Sequence, residues 1–170
     1  IVGRDTAGSR IGTVRADASE GDAGSVDMQG RDAAVLGSAS LTTANAGTSG
    51  DGGRIVVYSD KAAMFRKGAR VEAQGGSESG NGGFFEVSGM QYIEIEGQMF
   101  LQADAGEYGT FLIDPYDVYI VDEDGQDDGA IDLQPDEAIW RPKNEDAKLD
   151  IDVLEDFLAN GNVTIRTEIV

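Results

Sequence analysis

Carboxylates are the side chains best equipped for chemistry in this chain, and they fall into two groups. Asp122, Asp124, Asp127 and Asp128 crowd into the segment Asp122-Glu-Asp-Gly-Gln-Asp-Asp-Gly129. Clustered carboxylate oxygens suit a hard cation such as Ca²⁺; a solvated loop is the other reading, and the expectation is that the chain carries no cofactor. The spacing does not complete an EF-hand loop: counted from Asp124, the twelfth position, where a bidentate acid belongs, is Pro135. The second group is Glu86, Glu94 and Glu96, with Arg66 and Lys67 one repeat earlier. Acid pairs beside cations serve polysaccharide lyases and hydrolases. Alternate acids on a strand are also what a solvated face needs, and the expectation is that the chain is not an enzyme. The single tryptophan, Trp140, sits between Pro135 and Pro142, where it could stack on a sugar ring or cover an apolar edge. Asn162-Val-Thr164 has the form of a glycosylation acceptor but falls on strand-like sequence.

What the chain lacks narrows this chemistry. It has no cysteine, which excludes a disulfide scaffold and thiolate metal sites, and no histidine, the usual general base. Its 32 acids against 13 bases leave a net charge of −19. Residues 71–140 hold 17 Asp and Glu with no Lys or Arg, whereas 54–70 carry Arg54, Lys61, Arg66, Lys67 and Arg70 against Asp60 alone. Such a surface repels nucleic acid and anionic lipid and attracts cations. No apolar run approaches the roughly 20 residues that a membrane span requires. Ile1 and Val170 both fall in strand-like sequence, and there is no initiator Met, so a piece of a longer polypeptide is expected.

The elements that must position these residues repeat. Gly24-Ser-Val-Asp-Met28, Gly53-Arg-Ile-Val-Val57, Gly83-Phe-Phe-Glu-Val87 and Gly109-Thr-Phe-Leu-Ile113 read as one strand written four times, their glycines 29, 30 and 26 residues apart. Within each unit, three short runs alternate apolar and polar residues, the period of a half-buried strand, and Gly, Asn, Ser and Asp fill the turns between them. Aligned, the first strand gives inward ladders Val26–Ile55–Phe85–Phe111 and Met28–Val57–Val87–Ile113. The second gives Ala34–Ala63–Ile93 and Leu36–Phe65–Ile95. The third gives Val14–Leu41–Val71–Leu101 and Ala16–Thr43–Ala73–Ala103. Three strands per repeat, each pairing with its equivalent one coil along, predict an all-β chain folded as a parallel β-helix of about 30 residues per coil. The coils are expected over 1–122 and an acidic insertion over 123–149. A short helix, N-capped by Asp152 and stopped by Gly161, and a returning strand are expected over 150–170.

Gly52-Gly-Arg-Ile-Val-Val-Tyr-Ser-Asp60, Gly80-Asn-Gly-Gly-Phe-Phe-Glu-Val-Ser-Gly89 and Gly109-Thr-Phe-Leu-Ile-Asp-Pro-Tyr-Asp-Val-Tyr-Ile120 resemble consecutive coils of filamentous-haemagglutinin-like exoproteins, the large adhesins of bacterial two-partner secretion. Leu154-Glu-Asp-Phe-Leu-Ala-Asn-Gly-Asn-Val-Thr-Ile165 resembles the helix and returning strand that often follow the Asp-Pro coil there. The resemblance implies a right-handed β-helix, secretion to the surface of a Gram-negative cell and a role in adhesion. It also implies recognition of an outer-membrane transporter by a region outside this chain, end-to-end stacking with adjoining coils, and a glycan or cell-surface receptor as partner. Polysaccharide binding or cleavage, and a calcium-organised surface module, are the alternatives.

Overall fold

Each repeat folds into one coil because its three apolar runs can bury their inner faces only against one another and against the neighbouring coils. The computed structural model describes residues 3–4, 10–122 and 147–167. β1 (Gly3–Arg4) and β2 (Arg10–Arg15) lead into a coil formed by β3 (Ser25–Gly30), β4 (Ala33–Leu36) and β5 (Ser40–Thr43). The next is β6 (Arg54–Ser59), β7 (Ala62–Phe65) and β8 (Arg70–Glu72), followed by β9 (Phe84–Gly89), β10 (Tyr92–Ile95) and β11 (Gln98–Phe100). After it come β12 (Thr110–Pro115) and β13 (Val118–Val121), then β14 (Ala147–Asp150) and α1 (Ile151–Leu158), and β15 (Asn162–Ile165) stacks on β12 as the start of a further coil. Stacked, they make a first sheet β15-β12-β9-β6-β3, a second sheet β10-β7-β4, a third sheet β1-β2-β5-β8-β11, and the pair β13-β14. Among the described residues every pairing is parallel except β1 with β2. The chain is a β-solenoid of about four turns with about 29 residues per coil.

Register carries the first-sheet ladders as expected and extends them: Val26, Ile55, Phe85 and Phe111 stack on to Val163, and Met28, Val57, Val87 and Ile113 on to Ile165. The second-sheet ladders also pair as expected. The third-sheet ladders require correction. Leu41 lies opposite Arg70, and the inward positions are instead Val14–Thr42–Val71–Met99 and Ala16–Ala44–Ala73–Leu101. The cause is turn length: residues 37–39, 66–69 and 96–97 join the second strand to the third in successive coils, so equal counting slips the register. At the centre, Phe85 and Phe111 stack at 4.6 Å, with Phe65 edge-on to Phe85 at 5.1 Å and Phe157 edge-on to Phe111 at 5.1 Å.

The second sheet departs from simple alternation. All four residues of both β7 and β10 are buried, and Ala62, Met64 and Tyr92, with Ala33 against them, form a separate apolar cluster on its outer side. A sheet covered on both faces reads as a continuous apolar run, which is why Ala62-Ala-Met-Phe65 hides its period. Further along, β14 lies beside β10 and places Leu149 in the core, and α1 takes the place of a third-sheet strand against β11. Asp150, not Asp152, caps the helix: its carboxylate accepts the Asp152 N–H at 2.9 Å. Only Phe157 of the helix is fully buried.

Because Phe85 is enclosed by rings on both sides, Phe85→Ala is expected to cost about 3–5 kcal/mol of unfolding free energy. Val163→Ala, at the half-buried end of the same ladder, should cost about 1 kcal/mol. Urea unfolding of the two variants measures the difference.

Candidate functional site: a trough without side chains

Before every first-sheet strand the chain turns a corner at glycine: Gly24, Gly52-Gly53, Gly82-Gly83, Gly109 and, ahead of β15, Gly161. A Cβ on Gly53 would stand 1.9 Å from the Gly24 carbonyl oxygen, on Gly83 2.1 Å from that of Gly53, and on Gly109 2.0 Å from that of Gly83. No side chain fits there, so the corners stack backbone on backbone. Their N–H groups are engaged too: Gly53 donates to the Ala44 carbonyl, Gly83 to Ala73 and Gly109 to Leu101 across their own turns, and Gly82 to Glu107 of the next coil, at 2.7–2.8 Å. A row of positions that cannot carry side chains leaves a depression, an open trough of about 500 Å³ running across the coils.

One wall is a polar ladder. Asp51 N–H donates to Asp22 Oδ1 at 2.9 Å, Asn81 N–H to Asp51 Oδ1 at 2.7 Å, and Glu107 N–H to Asn81 Oδ1 at 3.0 Å. The facing wall is the first residue of each strand, Ser25, Arg54, Phe84 and Thr110, held in register by the sheet. Arg54 lies over the Phe84 ring at 5.5 Å and bonds Asp27 at 2.7 Å and Glu86 at 3.4 Å, so two acids already balance the one cation lining the trough. Tyr108, 46% exposed, stands at one end. A second ladder, Asp17, Asn45, Gln74, Gln102 and Asn160, ties coils together elsewhere: Asn45 N–H donates to Asp17 Oδ1 and Gln74 N–H to Asn45 Oδ1, both at 2.8 Å.

The candidates singled out in the sequence are not brought together. Glu86 belongs to the first sheet, where Ser88 Oγ donates to it at 2.8 Å. Glu94 belongs to the second sheet and does not face solvent as its alternating pattern implied: it is 7% exposed and accepts from Arg66 Nε at 3.0 Å. Arg66 is thus its neighbour one coil earlier, while Lys67 is exposed in the following turn. Asp122 is exposed just after β13. Asp124, Asp127, Asp128 and Trp140 lie outside the described residues. Among the described residues no group of three or more acids is placed to hold a metal ion. The Asn162 side-chain amide donates to the Tyr108 carbonyl at 2.8 Å, so attaching a glycan there would break a coil-to-coil bond.

The trough's polar ladder was not singled out in the sequence, yet its signal is present. Asp22, Asp51, Asn81 and Glu107 each stand two residues before a repeat glycine and keep the same offsets of 29, 30 and 26. Away from the trough, Lys61 Nζ bonds Asp32 at 2.5 Å, and this hydrogen bond, with the charge of Lys61, holds the Asp32 carboxyl below its ordinary pKa. The pair therefore supports the fold above the ordinary Asp value, and that support is lost as pH falls through the lowered one.

The sequence matches no known family model and no curated protein. No helix among the described residues is long and apolar enough to cross a membrane.

Gly83→Ala, which forces a Cβ onto backbone, is expected to destabilise by about 1–3 kcal/mol or more. Gly37→Ala, with nothing within 4 Å of the added carbon, should be neutral or stabilise by about 0.4–1 kcal/mol. Thermal melts of the two variants separate corner packing from a general intolerance of alanine.

Proposed function

We propose that the chain is a structural and adhesive stretch of a secreted, filamentous-haemagglutinin-like exoprotein: part of an extended β-helical shaft at a Gram-negative cell surface that attaches to a cell or matrix. The observation that carries this reading is that the core ladders run to both ends and stop half-buried. Val57, Val71 and Ile113 in the middle coils are fully buried, whereas Val14 and Met28 at one end and Val163 and Ile165 at the other are not. At the first end a recess of about 520 Å³ opens onto the ladder residues Val14, Met28, Leu36 and Thr42. At the other, β15 ends the first sheet and Ile151 and Leu158 are 38% and 56% exposed. Adjoining coils of the same polypeptide would bury these surfaces, as each repeat of a solenoid buries its neighbour's. The transporter of the two-partner system would be engaged by a region outside this chain, and the acidic faces would remain solvated.

The trough favours polysaccharide binding as the second reading, and there it serves as the adhesive face. The test is the full polypeptide expressed with its transporter in a Gram-negative host. Antibody against residues 10–122 should label intact cells only when the transporter is present. Purified material should appear by electron microscopy as rods lengthening by about 4.8 Å per coil. Retention in the cytoplasm, or compact particles in place of rods, would overturn the reading. For the acidic segment, melting in millimolar Ca²⁺ should match melting in chelator; a rise with Ca²⁺ would make the chain a calcium-organised module instead.

A further inference from the structure

We infer that the trough binds a neutral polysaccharide strand laid along the solenoid axis, an inference that rests on the adhesive reading and gives it a ligand class. The shape points to a polymer. The floor is built from equivalent corners of consecutive coils and has no side chain to block passage along it. A linear chain can therefore enter and leave without its ends being recognised.

The walls select the polymer. Asp22 and Asp51 each accept a neighbour's N–H through Oδ1, and Oδ2 accepts no hydrogen bond from a described residue. With Glu107, two coils beyond Asp51, they set hydrogen-bond acceptors at multiples of the coil repeat of about 4.8 Å. Sugar hydroxyls donate to such acceptors, and an exposed aromatic ring, Tyr108, offers an apolar platform for a sugar's C–H face. The same acids exclude sulfated glycans, uronate polymers and nucleic acid, because Arg54, the one cation in the lining, is balanced by Asp27 and Glu86. An extended peptide is disfavoured for a different reason. Strand addition needs free backbone groups, and the floor N–H groups of Gly53, Gly82, Gly83 and Gly109 are already bonded to backbone carbonyls.

The experiment is titration calorimetry of the purified chain, in about 0.5 M salt so that general attraction of cations to the acidic surface is screened, with cellohexaose, xylohexaose, N-acetylated chitin hexasaccharide, heparin hexasaccharide and oligolysine. At least one neutral hexasaccharide should bind, and heparin and oligolysine should bind more weakly or not at all. Tyr108→Ala should weaken binding about tenfold, equal to ~1.4 kcal/mol. Ser25→Trp, which places a ring into the trough from an exposed position, should abolish it. Both variants are expected to melt like the parent, so lost binding is not lost folding. Three results overturn the inference: no neutral hexasaccharide binds, heparin or oligolysine binds as well as the neutral sugars, or both variants bind like the parent. Rod formation and surface display are scored separately, so failure here leaves the shaft reading standing, and failure there leaves a binding result intact.

Discussion

Coils can lie one hydrogen bond apart only if the corner before the first strand carries no side chain, and most of the structure depends on that exclusion. Gly53, Gly83 and Gly109 meet the preceding coil at distances no Cβ could occupy. The corner fixes where each first strand begins, and so which residues point inward two positions later. Val26, Ile55, Phe85 and Phe111 stack in one line because Gly24, Gly53, Gly83 and Gly109 do. The aromatic column of Phe65, Phe85, Phe111 and Phe157 fills a narrow core that this composition, poor in rings, could not otherwise close.

The same dependence explains how much of the fold was legible. First-sheet ladders could be counted from the glycines because glycine and strand keep a constant offset. Third-sheet ladders could not, since the turns at 37–39, 66–69 and 96–97 differ in length, and the apolar Leu41 and Leu101 drew the count away from Thr42 and Met99. Asp150 and Asp152 are chemically equivalent as caps, and only the path of β14 into the helix decides between them. Burial of Met64 and Tyr92 on the outside of the second sheet leaves no periodic trace, because a residue covered on either face looks the same in one dimension. The trough is the intermediate case. Its ladder is written at fixed offsets in the sequence, but facing walls exist only after the sheet has brought Ser25, Arg54, Phe84 and Thr110 into line.

Most of the paired cations among the described residues bridge coils. Lys61 reaches back to Asp32, Arg54 to Asp27 and forward to Glu86, Arg66 to Glu94, and Arg166 back to Asp114. Exposed pairs of this kind contribute little free energy each. Their placement opposes slippage between coils, since a shift of one residue would move each cation off its partner and turn the ladder residues out of the core. Glu94 differs in being enclosed. Removing Arg66 would leave a charge with little water, which makes that pair the one most sensitive to loss of a single member.

Parallel pairing along the axis also determines how the chain would bear a load. Hydrogen bonds between coils lie along the direction of pull, so tension applied at the ends is resisted by a few bonds at the terminal coil and not by all strands at once. Coils would therefore detach one at a time. Each releases about 29 residues, or roughly 100 Å of contour, in exchange for about 5 Å of shaft. Any shaft built of such coils would extend about twentyfold, coil by coil, before its covalent chain was stretched, dissipating force in small successive steps.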